Sequence, residues 1–280
     1  MVVKIQTLWI GASLPKIINV CIRSMAEIHE VHLYTYCKVD NIPENTSHDI
    51  VIKDANEIVK EEDIFYFEGD IAPFSDLFRF KLLLLKGGYW LDTDIFLLKS
   101  INYRNTEFII GSERTIVKGA FKSKLPYKPN IGFLKAKRKS KFYSKIVEEC
   151  EKKIKNGLKK RTDLMVVFQN QIEKFGMGYT IKTPEFYCNL DWWFTKEAFE
   201  VPLEKHWNQK YGWDKQDDYL ENIESVGIHM WAGLISKKNI NSEKYAEGSL
   251  VDILIKSIEK KPTFFINNEP EEKETITITF

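Results

Sequence analysis

The chain has 280 residues, of which 44% are hydrophobic and 29% are charged, a composition that excludes a disordered chain, a coiled coil and a collagen-like fibre. The 41 Lys and Arg residues nearly balance the 40 Asp and Glu residues, so we expect no nucleic-acid partner. The sequence has no apolar run near the roughly 18 residues that span a membrane. Its start lacks the pattern of a signal peptide, and we therefore expect a cytoplasmic protein.

The four cysteines are widely spaced along the chain, at Cys21, Cys37, Cys150 and Cys188. None of them forms the C-x2-C pair that is typical of a structural zinc site. In a chain that is long enough to bury a large core, this spacing predicts reduced, buried thiols.

The sequence opens with a predicted strand, helix and strand over residues 2–10, 16–28 and 31–36. This order predicts a parallel βαβ unit. Further strands are predicted at 48–53, 89–98, 107–111, 131–135 and 224–231, and further helices at 55–60, 73–86, 141–160, 164–175 and 250–260. Together these elements predict one α/β domain over residues 1–261, with an irregular, aromatic-rich insertion after about residue 185 and a tail over residues 262–280.

The predicted helix over residues 73–86 is apolar around most of its surface, which indicates that it is buried. Its polar residues Ser75, Asp76, Arg79 and Lys86 fall within an arc of about 100°. Buried polar groups need partners. Either Asp76 and Arg79 form a local ion pair under a surface loop, or this face of the helix binds a ligand.

The next strand carries two carboxylates, Asp92 and Asp94, on either side of Thr93. Residues i and i+2 of a strand point to the same side, so the two acids would repel each other unless they shared a cation. Mg²⁺ and Mn²⁺ prefer such oxygen ligands and often share them with substrate phosphates. The alternative is a pair of exposed acids at the end of a strand.

Taken together, the helix and the strand read SDLFRFKLLLLKGGYWLDTDIFLL from Ser75 to Leu98. This segment resembles the DXD-containing sugar-binding glycosyltransferases, which include α-1,4-galactosyltransferases, yeast initiating mannosyltransferases and the clostridial glucosylating toxins. Their shared pattern is S-D-x-x-R, an apolar run, G-G, an aromatic residue and L-D-x-D. The resemblance implies a GT-A fold, that is, one Rossmann-like α/β domain with a mixed central sheet.

The resemblance also implies an activity. The protein would be a metal-dependent, retaining glycosyltransferase that uses Mn²⁺ or Mg²⁺. Its donor would be a nucleotide diphosphate sugar, with a UDP-sugar favoured and a GDP-sugar possible, and its acceptor a hydroxyl group, expected on a glycan. Because anchored relatives occur in the Golgi and no anchor is seen here, a bacterial or viral cytoplasmic setting is expected.

Roles for single residues follow from the same resemblance. Asp92, Asp94 and Arg79 would be catalytic, and Asp94, Asp92 and His229 would hold the metal. Trp9 would stack on the base of the donor. The substrate-binding set is expected to comprise Trp9, Gly11, Ser75, Asp76, Arg79, Tyr89, Asp92, Thr93, Asn130 and Trp231.

Two alternatives remain open at this point. The chain could be a non-catalytic module that binds a nucleotide sugar or a glycan, although its intact acidic motif argues against this. A metal-dependent nucleotidyltransferase lacks support, because the Gly- and Lys-rich start of such enzymes is missing.

Trp9 and His229 could also be ordinary core residues. The aromatic stretch over residues 186–213 could form an acceptor wall or the core of the insertion.

Overall fold

The computed structural model describes residues 3–103, 105–115, 121, 123, 125–175, 179–203 and 225–259. The strands are β1 (Lys4–Leu8), β2 (Glu30–Thr35), β3 (Ile50–Asp54), β4 (Gly88–Leu91), β5 (Ile95–Leu97), β6 (Ile109–Glu113), β7 (Lys128–Ala136), β8 (Thr180–Ile181) and β9 (Gly227–His229). The helices are α1 (Lys16–Ala26), α2 (Ala72–Lys86), α3 (Lys141–Lys155), α4 (Asp163–Phe175), α5 (Thr195–Glu200), α6 (Ala232–Lys237) and α7 (Leu250–Glu259).

Seven strands form a mixed sheet in the order β3-β2-β1-β4-β7-β6-β8. β1, β2, β3 and β4 are mutually parallel, whereas β7 runs antiparallel to both β4 and β6. A separate two-stranded sheet pairs β5 with β9. The predicted α/β class with a mixed central sheet is therefore confirmed. Because β1 and β4 are adjacent and parallel, the segments that follow them leave the sheet at the same edge.

Helices cover both faces of the large sheet. α2, α3 and α4 pack on one face, where Trp90 of β4 belongs to the same buried cluster as Phe78 and Phe80 of α2. α1 and α7 lie in a second cluster on the other side, together with Phe96 of β5 and Ile228 of β9. Because side chains alternate along a strand, Tyr89 and Trp90 point to opposite faces of β4.

The helix that carries the S-D-x-x-R segment begins with Pro73 in its first turn and ends at Gly87. Gly87 has a positive φ of 68°, which a residue with a side chain rarely adopts. A Cβ at Gly87 would lie 2.6 Å from the backbone nitrogen of Arg138. The sequence therefore ends α2 where the backbone both turns sharply and approaches a neighbouring segment.

Two predicted elements are wrong. The continuous strand over residues 89–98 is in fact β4 and β5, which belong to different sheets and are joined by a turn at Asp92-Thr93-Asp94. The helix over residues 55–60 is only a 3-10 turn at Ala55–Glu57, whose start is capped by the side chain of Asp54 through a hydrogen bond from the Asn56 amide.

Three of the cysteines, Cys21, Cys150 and Cys188, are free and buried as predicted, but Cys37 is exposed. Residues 204–224 and 260–280 lie outside the described residues, and so do the predicted tail and part of the aromatic stretch. The domain boundary near residue 261 remains a prediction. Within the described part of the chain, no helix is both long enough and apolar enough to cross a membrane.

Candidate active site

The turn between β4 and β5 connects the two sheets. The Asp92 amide donates to the Gly132 carbonyl of β7 at 2.8 Å, which ties the first acid to the large sheet. The Asp94 carbonyl accepts from the Met230 amide at 2.8 Å, which ties the second acid to the end of β9. The two carboxylates are therefore held by different sheets, and their separation depends on how the sheets pack.

This packing brings three possible metal ligands together. Asp92, Asp94 and His229 each offer one ligand atom, and these atoms all lie within 4.8 Å of one another. His229 is the last residue of β9 and is paired with Ile95, directly beside the turn. The predicted convergence of the two acids is present in the structure, although it arises from a turn and a second sheet and not from the alternation of a single strand.

Asp94 and His229 are a pair of titratable groups in direct contact. His229 Nε2 lies 3.3 Å from Asp94 Oδ1, and Asp94 Oδ2 accepts a hydrogen bond from the Ala232 amide at 2.7 Å. Burial opposes ionisation of Asp94, but the His229 ring and the amide outweigh it and lower the pKa of this carboxyl. Burial also opposes protonation of His229, but the Asp94 carboxylate raises the pKa of the imidazole.

Arg79 of α2 fixes the other carboxylate. Its guanidinium lies 2.8 Å from Asp92 Oδ1 and 3.1 Å from Asp76 Oδ1, and it also donates to the Ser75 hydroxyl at 3.2 Å. The Trp90 indole donates to the same Asp92 oxygen at 2.7 Å. Among the described residues, Asp92 Oδ2 receives no comparable hydrogen bond, so this oxygen is available to a ligand.

Asp76 combines a charged partner with almost complete burial. Its exposed fraction is 8%. Burial raises the pKa of Asp76 to about 7, although Arg79 acts in the opposite direction. The local Asp76–Arg79 pair that the helix pattern allowed therefore exists and extends to Asp92, and ligand binding by this face remains a prediction. Lys86, at the far end of α2, pairs with Glu57 instead.

Trp9 and Gly11 lie just beyond β1, at the sheet edge that also bears the acidic turn. Trp9 is partly buried, and its indole N–H donates to the Ser13 carbonyl at 3.1 Å. Gly11 has a φ of 147° and a Cβ there would lie 3.3 Å from Trp9 Nε1, so the loop folds closely around the indole. No described contact joins Trp9 to the acidic turn.

Of the remaining predicted residues, Trp231 and Thr93 lie beside the acids and Tyr89 does not. Trp231 stacks on His229 with the ring centres 3.9 Å apart, and its indole donates to the Leu190 carbonyl. Thr93 is partly exposed in the turn itself. Tyr89 lies elsewhere, because its ring packs against Phe133 on the opposite face of β4 from Trp90, and its hydroxyl accepts from the Tyr103 amide. Among the described residues, no contact joins Tyr89 to the carboxylates.

Asn130 of β7 is buried beside the site and introduces groups that the sequence patterns missed. Its amide nitrogen donates to Glu113 at 2.5 Å, and its amide oxygen accepts from the Tyr187 hydroxyl. A Cβ at Gly132 would lie 3.0 Å from Asn130 Oδ1 and 3.2 Å from Asp92 Oδ2. Glu113 and Tyr187 stand in no short motif, so only the fold reveals them.

Comparison with known proteins supports the resemblance that was expected from the sequence. Residues 4–125 match the family model described as capsular polysaccharide synthesis protein. This match includes the S-D-x-x-R helix and both carboxylates but less than half of the chain, and Asn130 and His229 lie beyond it. None of the curated protein sequences compared with the chain matches it.

Several solved structures are similar to the chain at low sequence identity. The galactosyltransferase LgtC, solved in complex with donor and acceptor sugar analogues, shares 12% identity over 96% of this chain and 98% of its own, with a TM-score of 0.49. The glycosyltransferase GlyE of Streptococcus pneumoniae TIGR4 shares 12% identity, with a TM-score of 0.47, and the match covers 91% of this chain and 60% of GlyE. The PaToxG glycosyltransferase shares 14% identity over 61% of this chain and 69% of its own, with a TM-score of 0.42.

The expected resemblance to glycosyltransferases is thus confirmed. The chain is thus similar to a capsular polysaccharide synthesis family over residues 4–125 and to solved glycosyltransferases, and it has a mixed α/β fold with the acidic turn at the carboxyl edge of the large sheet.

Proposed function

We propose that this protein transfers a sugar from a nucleotide diphosphate sugar to a hydroxyl group of a growing polysaccharide, with the help of Mn²⁺ or Mg²⁺. UDP is the favoured nucleotide and GDP the alternative. The observation that carries the proposal is the convergence of Asp92, Asp94 and His229 within 4.8 Å of one another. The match to a capsular polysaccharide synthesis family supports a glycan as the acceptor.

The donor atoms fit the proposed ion. Two carboxylates and one imidazole suit Mn²⁺, and the free Oδ2 of Asp92 supplies an oxygen that no described group already uses. Asp92, Asp94 and His229 would hold the ion, leaving part of its coordination shell for phosphate oxygens. When bound, such an ion neutralises the negative charge that develops on the diphosphate as the sugar leaves.

The residues around the ligands would bind and orient the donor. Arg79 is locked between Asp76 and Asp92, so it keeps Asp92 in place and presents an ordered polar face. Asp76 and Ser75 would contact sugar hydroxyls, since a carboxylate accepts and a hydroxyl can do both. Trp9, partly exposed beyond β1, would stack on the base, with Gly11 shaping its loop.

The bond changes follow from the retaining mechanism that we infer. The acceptor oxygen forms a bond to the anomeric carbon on the same face from which the diphosphate oxygen departs. The acceptor proton passes to the departing phosphate oxygen, so no protein base is required. The product then keeps the α configuration of the donor.

A donor screen tests the proposal. UDP- and GDP-sugars would be added to the protein with and without Mn²⁺, and the melting temperature and the release of free nucleotide measured. We expect one donor to stabilise the protein only in the presence of the metal and to be turned over slowly. Binding without turnover under any acceptor would instead favour the non-catalytic module. A product with inverted configuration by NMR would refute retention.

A further inference from the structure

Glu113, at the end of β6, is a buried acid to which the proposed function assigns no role so far. Its exposed fraction is 7%. Its carboxylate contacts the Lys128 ammonium directly across the β6–β7 ladder and accepts from Asn130 Nδ2 at 2.5 Å. A carboxylate is seldom buried to this extent unless its charge and its lone pairs are both used.

These contacts leave the Asn130 amide only one orientation. The Gly132 backbone N–H, 2.8 Å away, can only donate, so it must face the amide oxygen. The Glu113 carboxylate can only accept, so it must face the amide nitrogen. The Tyr187 hydroxyl completes the arrangement by donating to the Asn130 oxygen. If the oxygen and nitrogen of Asn130 were exchanged, the amide nitrogen would face the Gly132 N–H and the amide oxygen would face the Glu113 carboxylate. Neither hydrogen bond could then form.

The same network borders the proposed donor site. The position that a Cβ of Gly132 would take lies 3.0 Å from Asn130 Oδ1, 3.2 Å from Asp92 Oδ2 and 3.3 Å from the Tyr187 hydroxyl. The Tyr187 ring in turn stacks on His229 with ring centres 5.8 Å apart. The polar groups of Asn130 and Tyr187 therefore lie around Gly132, on the side that also carries Asp92 Oδ2.

We propose that Glu113 is a positioning residue for sugar binding. It holds the Asn130 amide in the single orientation that keeps Oδ1, which accepts from Gly132 and Tyr187, beside Asp92, and so sets the acceptor that the donor sugar meets there. This inference rests on the proposed function, since it concerns the sugar end of the same site. Glu113 acts through Asn130 and does not itself contact the sugar.

A set of variants separates hydrogen-bond polarity from simple packing. Glu113→Gln keeps an acceptor for Asn130, whereas Glu113→Ala removes it. Asn130→Asp alone sets two carboxylates against each other. The double variant Glu113→Gln with Asn130→Asp restores one donor and one acceptor with the roles exchanged, and the carboxylate introduced at position 130 can still accept from Gly132 and Tyr187. Glu62→Ala, at an exposed acid, is the matched control.

The test measures the affinities of UDP, UDP-glucose and UDP-galactose in the presence of Mn²⁺ by calorimetry, with circular dichroism melting as a check of folding. We expect Glu113→Ala to bind UDP like the wild type but to lose roughly three- to tenfold of the affinity gained from the sugar. Glu113→Gln should keep that gain, Asn130→Asp should lose it, and the double variant should recover most of it.

The inference is overturned if Glu113→Ala weakens UDP and UDP-sugar equally, or if the double variant is no better than Asn130→Asp. It is also overturned if the wild type binds both sugars no more tightly than UDP, because there is then no sugar contact to position. A wild type that does not bind UDP with Mn²⁺ at all contradicts the proposed function itself, which is a distinguishable result.

Discussion

Asp94 is a proposed metal ligand whose two carboxylate oxygens are both held by neighbouring groups. One of its oxygens faces His229 and the other accepts from the Ala232 amide, so the carboxylate has little freedom to move. Asp92 is held as firmly by Arg79 and Trp90. Two acids that are fixed in this way cannot relax away from each other, and the proposed cation would offset the repulsion that Arg79 and His229 leave between them.

Replacing Asp94 with Asn removes one negative charge from this arrangement while nearly preserving its shape. We expect Asp94→Asn to lower metal-dependent kcat/KM by roughly a hundredfold or more with little change in the melting temperature. Asp63→Asn, at an exposed acid, is the matched control. Transfer rates by Asp94→Asn that equal the wild type would contradict the assignment of the metal site.

Trp9 differs from the acids because its expected role is binding alone. We expect Trp9→Ala to raise the donor KM more than it lowers kcat, since stacking on the base stabilises the bound substrate and the transition state equally. Steady-state kinetics at varied donor concentration measure both constants. Tyr66→Ala, at an exposed aromatic residue, serves as the control. An unchanged KM would indicate that Trp9 is only a packing residue.

At the scale of single elements, backbone hydrogen bonds and backbone angles shape the turn between β4 and β5 and the end of α2. The pattern of side chains in the sequence does not show these features. The Asp92 carbonyl accepts from the Ile95 amide at 3.1 Å and closes the acidic turn. α2 is terminated by Gly87, which has the positive φ and the close neighbour described above. Both features set where the polar face of α2 lies relative to the acids.

Gly87→Ala tests the end of α2. The added methyl group would meet the Arg138 backbone as well as an unfavourable φ, so we expect a loss of roughly 1–3 kcal/mol in the free energy of unfolding, measured by urea denaturation. Gly157→Ala is a matched control, because Gly157 has a φ of 83° but nothing within 4 Å of an added Cβ. Equal losses in both variants would rule out the steric contribution.

His29 connects the α1–β2 turn to the segment after β5 and gives this region an expected sensitivity to acid. It accepts a hydrogen bond from the Ile101 amide at 2.9 Å, and burial, helped by the charge of His48, lowers its pKa to about 4. The unfolded chain takes up this proton near pH 6.5 and the folded chain only near pH 4. The contribution of neutral His29 to the free energy of unfolding is therefore present above pH 6.5 and is lost as the pH falls toward 4.

We expect this contribution to be on the order of 3 kcal/mol between those two pH values. His29→Gln keeps a hydrogen-bond acceptor that does not titrate. Its free energy of unfolding should therefore fall less than that of the wild type when the pH is lowered from 6.5 to about 4. Urea denaturation of both proteins across this range measures the difference. Parallel pH profiles would show that His29 is not the responsible group.

At the scale of the whole molecule, the proposed metal site is a junction between two sheets. Asp92 follows β4 of the large sheet, His229 ends β9 of the small one, and Asp94 lies in the turn that connects them. An ion bound there would link the sheets, and anything that binds only the folded state stabilises it by mass action.

We therefore expect Mn²⁺ to stabilise the wild-type protein by about 2.7 kcal/mol when its concentration is a hundredfold above the dissociation constant. His229→Ala should lose most of this stabilisation, because one of the three ligands that span the junction is gone. Chemical denaturation with and without the metal gives the two values. A similar gain for His229→Ala and the wild type would place the ion elsewhere.

The sequence by itself determined the α/β class, the buried helix that bears Asp76 and Arg79, and the pair of acids that follows it. These features could be predicted because helix burial and short motifs depend on residues close together in the chain. Even there, local patterns predicted one strand where a turn joins two sheets, since a run of apolar residues does not show which strand it will pair with.

Only the tertiary structure decided which distant residues complete the site. It placed His229 of β9 beside Asp94, brought Glu113 and Tyr187 to Asn130, and directed Tyr89 to the far face of β4. The physical reason is that hydrogen bonding, burial and charge pairing between segments far apart in the chain depend on strand order and sheet packing, which no local pattern specifies.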